Sequence, residues 1–178
     1  MLAGALTIEP AQPPAVIDAP NTTKSALTLT IPALKNASKR VPVLEGWDTP
    51  QVDAGIGHYK QSSGPGEFGN YVLAGHRSSH VGFEPWANLP GIPEGSEVII
   101  ESKTAVYTYK LFKSKQVLPD AMWTVAQEPA EPGKGPISTG SAPGSKQLIT
   151  LVTCTPRYGH SGRFIWWGRL ASATPKSA

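Results

Sequence analysis

The sequence predicts a mostly β protein of one domain, a small closed barrel or sandwich of short strands with little helix. Three observations predict it. Aliphatic residues alternate with polar ones in several short stretches, which is the period of a strand with one buried face. The 178 residues include 18 Gly and 18 Pro, many clustered between those stretches, where they punctuate strands with turns. No heptad pattern or internal repeat runs through the chain, and its length suits one hydrophobic core rather than two.

Taken in order, residues 1–25 are rich in Pro, Ala and Thr without sustained periodicity and read as an extended, partly disordered stalk or leader. The domain proper is expected over 26–172, with a short tail at 173–178. Leu27, Leu29 and Ile31 alternate with Thr28 and Thr30 as a first strand that Pro32 ends. Further strands are expected at Val41–Leu44, Gly55–Tyr59, Asn70–Gly75, Glu97–Glu101, Ala105–Val117, Gln147–Thr155 and Arg163–Leu170. The stretch after Gly75 holds too many Pro and Gly for a long helix, although Pro85 suits the first position of one helical turn over Pro85–Leu89. Pro119–Lys146 is the longest connection, and loops of that length in compact domains are usually functional or disordered.

Charge excludes little but directs attention elsewhere. The net charge of +3 comes from scattered Lys and Arg without a basic stripe, so nucleic-acid binding gains no support. No stretch approaches the roughly 18 to 20 apolar residues that cross a bilayer, and Met1–Ile8 lacks the form of a signal peptide.

Cysteine usage is more informative. The single cysteine, Cys154, cannot form an internal disulfide or by itself a thiolate metal site, so it is either an inert core filler or a reactive thiol. In Gln147–Thr155 the alternation sets Leu148, Thr150, Val152 and Cys154 on one face and Ile149, Leu151 and Thr153 on the other. Cys154 then lies at the end of a strand, where a rigid scaffold can present a nucleophile to a cleft.

A thiol with an ordinary pKa near 8.5 needs an imidazole or a cation beside it to act as a nucleophile at neutral pH. Arg163 follows a tight connection that would return the chain antiparallel and bring it close to Cys154, and His76 closes the strand YVLAGH. An arginine stays charged and is no base, but its donors can orient an acyl carbonyl or steady an oxyanion. Arg157, three residues after the cysteine, competes for that role. His80 lies in a loop near His76 and could line the same cleft; His58 reads as structural or surface, and His160 as part of a solvent-facing turn.

These residues resemble a known family. The segments VPVLEGWDTPQVDAGIGHYKQSSGPGEFGNYVLAGHRSS and LITLVTCTPRYGHSGRFIWWGRL are similar to the sortases, whose signatures are His-Arg at a strand end and a TLxTC strand followed by Arg on the next strand. Here they read His76-Arg77, Thr150–Cys154 and Arg163, in that order, and the similarity runs from about Ile31 to Leu170. The resemblance implies an eight-stranded sortase-type β-barrel with short helices or turns in its loops. It implies that Cys154 attacks the carbonyl after Thr in an LPxTG-like sorting signal and forms a thioacyl enzyme. His76 would protonate the departing Gly amine and later deprotonate an incoming amine, from peptidoglycan precursor (lipid II) or a pilin lysine. Arg163 would hold the substrate carbonyl or the oxyanion, with Thr153, Arg77 and His80 as substrate-binding residues and Thr153 assisting the oxyanion hole. No cofactor is implied, and without an acidic cluster like the calcium site of some class A members the activity is expected to be metal-independent.

Within the family the nine-residue step from Cys154 to Arg163, the TCTPRYG turn and the LAGHR stretch look most like class E, whose preferred signal is LAxTG. The chain departs from that class where His80 and Val81 stand in the loop that usually carries a Tyr linked to reading Ala, so LPxTG, LAxTG and class D remain open. Family members are anchored by an N-terminal membrane helix absent from this sequence, which implies work at the extracellular face of the membrane. Two other protein classes could place a lone cysteine on a β scaffold. L,D-transpeptidases carry a His just before the nucleophile in a SHGC-type motif, which TLVTC lacks. A secreted β-barrel binding module would use Cys154 for packing and His76 as a capped strand end.

Overall fold

The computed structural model describes residues 26–37, 40–141 and 144–177. The leader expected over residues 1–25 lies outside them. Eight strands close into a barrel: β1 (Leu27–Thr30), β2 (Val41–Glu45), β3 (Ile56–His58), β4 (Gly69–Ala74), β5 (Glu97–Glu101), β6 (Ala105–Val117), β9 (Gln147–Thr155) and β10 (Gly162–Pro175). Around the barrel their order is β1-β2-β3-β4-β9-β10-β6-β5. The two-residue strands β7 (Ala130–Glu131) and β8 (Gly135–Pro136) form a separate hairpin inside the long connection.

Closure is the barrel alternative of the sequence expectation, and the interior explains it. Leu29, Ile31, Tyr71, Leu73, Val98, Ile100, Tyr107, Tyr109, Ile149, Leu151 and Trp166 form one buried cluster drawn from six strands or their ends. Every second residue of those strands points inward, as the period of two requires. Strand β10 continues through residues 173–175, which pair with β6 at Tyr107, Val106 and Ala105, so pairing reaches into the stretch assigned to a tail.

Two of the barrel's pairings are parallel, and one of them places the site. β4 runs parallel to β9, with Tyr71 opposite Ile149 and Ala74 opposite Val152. The carboxyl ends of the two strands therefore emerge on the same rim, and β10, antiparallel to β9, begins there. Sequence separation of nearly eighty residues is erased by this one pairing.

The single α-helix among the described residues, α1 (Thr49–Ala54), lies where the sequence shows no helical periodicity. Asp48 occupies the cap position and Pro50 the first turn, where a missing N–H costs nothing. The turn expected at Pro85–Leu89 appears as turns followed by a 3-10 helix at Leu89–Gly91.

The outer wall of β4, β9 and β10 is covered by part of the long connection. Trp167 Nε1 donates to the Thr124 carbonyl at 3.1 Å, and Asn70, with no exposed surface, donates from Nδ2 to the Ala126 carbonyl at 2.9 Å. Asn70 Oδ1 in turn accepts from Thr150 Oγ1 at 2.7 Å. Beneath this cover a second apolar cluster joins Ile137, Ile165 and Trp167, with Phe112, Val117, Trp123 and Val152 against it. Burying those polar side chains is tolerable because each finds a partner.

Candidate active site

A cleft of about 350 Å³ opens on the outer wall where β4, β9 and β10 end. Cys154, His76 and Arg163 all line it. Its apolar walls come from Val152 and Ile165 below and from Leu118, Met122 and Val125 of the covering connection, while Trp47 and Val52 close the α1 side. His76 meets the sequence-adjacent Cys154 and Arg163 here because the parallel β4–β9 pairing and the β9–β10 hairpin share one rim.

Cys154 is half-buried, and among the described residues its sulfur makes no hydrogen bond. It stands on the outer face with Val152, while Ile149 and Leu151 point into the barrel. Directly opposite, in register across the antiparallel ladder, is Arg163. The Arg163 Nη1 donates to the carbonyls of His160 at 3.0 Å and Gly162 at 2.9 Å, which fix the guanidinium against its own turn. Its Nε and Nη2 have no partner among the described residues, so donors remain for a ligand oxygen. A guanidinium fixed by backbone carbonyls is a preorganised donor for a carbonyl or oxyanion.

His76 follows Gly75, whose N–H donates to the Val152 carbonyl at 3.2 Å and continues the ladder past the end of β4. The imidazole is part-buried, and its Nε2 lies 2.7 Å from Oδ1 of Asp53 near the end of α1. Asp53 is absent from the sequence expectations. The signal that could have found it is the Asp48-Thr49-Pro50 helix start, which sets a short helix and its closing carboxylate beside the β2–β3 crossover.

Arg157, the competitor of Arg163, is committed elsewhere. Its Nη2 donates to Glu84 Oε2 at 3.0 Å, and its carbonyl accepts from the Ser78 hydroxyl, so it ties the β9–β10 turn to the loop after His76. The carboxyl of Glu84 is held below its ordinary value by the hydrogen bond from Arg157 and by one from the Ser79 N–H.

Of the three expected substrate-binding residues, Thr153 borders the cleft, while Arg77 and His80 are not among its lining residues. Thr153 is only 2% exposed, and its hydroxyl donates to the Gly75 carbonyl at 2.8 Å. The hydroxyl therefore braces the His76 strand end rather than an oxyanion. Arg77 leaves the chain on the other side from His76, donating from Nη1 to Thr155 Oγ1 at 3.1 Å and lining a separate hollow with Asn88 and Ile92. His80 is exposed in the loop and is not part of the cleft wall. His58 is structural as one of its two readings had it: it is 8% exposed, with Nδ1 2.7 Å from Glu45 Oε1 and Nε2 beside Ser62 and Ser63.

The sortase domain, as a family sequence model, matches residues 29–171. Sortase SrtE1 of Streptomyces coelicolor is 31% identical over 146 residues, covering 77% of this chain and 38% of the relative. Sortase D of Bacillus subtilis is 30% identical, covering 84% of this chain and 66% of the relative. The chain thus spans about two fifths of the length of the first of these relatives, 38%. Among solved structures, sortase E from Streptomyces avermitilis superposes with a TM-score of 0.69 at 29% identity, over 85% of this chain and 91% of that one.

Proposed function

The chain belongs to the sortase family of cysteine transpeptidases, with class E members among its similar relatives, and on that premise we propose that it cleaves an LPxTG-like sorting signal and transfers the acyl part to an amine. The observation that carries this reading is the meeting of Cys154, His76 and Arg163 on one cleft with apolar walls. An extended peptide laid in that cleft sets its Leu side chain against Leu118, Met122 and Val125 and its scissile carbonyl between Cys154 and Arg163.

In the proposed reaction the Cys154 sulfur attacks the carbonyl carbon after Thr, while Arg163 donors receive the oxygen as it gains charge. His76 delivers a proton to the departing Gly nitrogen, the C–N bond breaks and a thioester remains on Cys154. An amine from a cell-wall precursor or a pilin lysine then loses a proton to His76 and displaces the sulfur. LAxTG is the signal variant that the class E resemblance favours, and the extracellular face of the membrane is the proposed place of work.

The test is mass spectrometry of the intact protein mixed separately with LAxTG and LPxTG peptides. The expected result is a mass gain equal to the peptide up to Thr, located on Cys154 and lost in Cys154→Ala. Unmodified protein with both peptides, together with native Cys154 that resists alkylation, would favour a packing role for the thiol instead.

A further inference from the structure

The contact between His76 and Asp53 carries more than orientation on a rim. We propose that Asp53 is a positioning residue that sets the tautomer of His76: its carboxylate accepts the Nε2 proton, which leaves Nδ1 as the ring nitrogen that exchanges protons in the cleft. The inference rests on the transpeptidase reading for its consequence in catalysis, but the tautomer itself does not.

The geometry is specific. Nε2 and Oδ1 are 2.7 Å apart, and both side chains are only partly exposed, 24% for His76 and 32% for Asp53. A neutral imidazole has one donor and one acceptor nitrogen, and the partner of one nitrogen decides the role of the other. A carboxylate accepts only, so it selects Nε2–H. Nδ1 has no hydrogen-bond partner among the described residues, and His76 borders the cleft that Cys154 and Arg163 border.

Proton and electron accounts close with this assignment. The thiol proton of Cys154 passes to Nδ1, the sulfur lone pair forms the S–C bond, and the ring becomes an imidazolium held at Nε2 by Asp53. Nδ1–H then gives its proton to the leaving amine nitrogen as the C–N bond breaks, and the ring returns to the Nε2–H form. The negative charge of Asp53 opposes the positive charge that appears on the ring between those steps. Asp53 touches no reacting atom and acts through His76 alone.

The experiment combines a spectrum with kinetics on the whole chain. Long-range nitrogen–proton NMR correlations of protein labelled with nitrogen-15 histidine report which ring nitrogen carries the proton when the ring is neutral. The expected result is Nε2–H for His76 in the parent protein, a mixture of tautomers in Asp53→Leu, and an intermediate pattern in Asp53→Asn, which keeps an acceptor oxygen but no charge. With a sorting-signal peptide, kcat should fall roughly 10- to 100-fold in Asp53→Leu, less than the roughly 100- to 10,000-fold that proton-transfer catalysis supplies because His76 itself remains, with little change in KM. His76 spectra identical in all three proteins, or an effect confined to KM, would overturn the proposal. If Asp53→Leu does not fold, Asp53→Asn decides by the same spectrum and the same kcat. Were no peptide cleaved even by the parent protein, the transpeptidase reading would fail while the tautomer measurement still judged Asp53 independently.

Discussion

Cys154 and Arg163 face each other across the β9–β10 ladder as directly opposed residues. Backbone pairing keeps the two residues opposed, and the turn carbonyls of His160 and Gly162 then aim the guanidinium. Arg163→Ala should therefore keep the fold and lose peptide cleavage by about 100- to 1,000-fold, the usual effect of removing an oxyanion donor. Arg163→Lys should recover little, because an ammonium cannot hold the His160 and Gly162 carbonyls and a ligand oxygen in one plane. Steady-state cleavage of a sorting-signal peptide, with thermal melting as the folding control, checks both. Equal activity in Arg163→Ala would remove the guanidinium from the chemistry.

Much of this arrangement is legible in the sequence, and what is missed has physical reasons. The bounds of β5, β6 and β9 match the period-two stretches read from the chain because each has one face in the barrel core. His76, Cys154 and Arg163 each sit at or beside a strand end, which alternation and turn residues reveal. Helix α1 is only six residues long and buries none of them, so it has no apolar stripe to detect, and Asp53 goes with it. Thr153 adjoins Cys154 on β9, where adjacency puts neighbours on opposite faces, and Arg77 and His80 follow the end of β4 in an irregular loop that no alternation governs. Their proximity in sequence thus says nothing about which side of the wall they serve.

Acid should weaken the fold through several carboxylates together. Hydrogen bonds hold Glu45 to His58, Glu84 to Arg157, Glu101 to Lys176 and Arg40, and Glu131 to Lys115 and Lys134, and each carboxyl is pushed below its ordinary value of 4.5. A group with a depressed folded value binds its proton more readily when unfolded, so stability rises with pH there. The contribution is fully present above 4.5 and drains away as pH falls through the depressed folded values. Melting temperatures measured from neutral pH downward should hold steady and then drop below that value. In Glu84→Gln the drop should be shallower, and a parallel curve would show that the Arg157 pair adds nothing.

The roof of the cleft hangs on Trp167. Its indole N–H donates to the Thr124 carbonyl, and the ring, wholly buried, stacks on Trp123 with centroids 5.8 Å apart. Trp167→Phe keeps most of the apolar ring but strands a buried carbonyl, at a cost of about 1–3 kcal/mol. Because Thr124 and Val125 border the cleft, the variant should raise KM for the peptide more than it lowers kcat. Kinetics with the melting curve separate a loosened roof from global unfolding, and an unchanged KM would count against the roof's part in binding.

Gly75 is the residue on which the placement of His76 turns. A methyl group there would come within 2.8 Å of the Trp86 ring and 2.9 Å of Ile56 Cδ1. Trp86 and Ile56 are both wholly buried in the barrel core, so neither can swing into solvent to make room. Gly75→Ala must therefore shift either the core or the backbone that carries His76, at a cost of about 1–3 kcal/mol for overpacking. The same backbone gives its N–H to Val152 and its carbonyl to the Thr153 hydroxyl, so a shift moves the imidazole relative to Cys154. Cleavage should fall along with the melting temperature, while alkylation of Cys154 continues. Adding Trp86→Phe, which frees space where the methyl group lands, should restore part of both; recovery of stability without activity would mean that the backbone, not the core, had yielded.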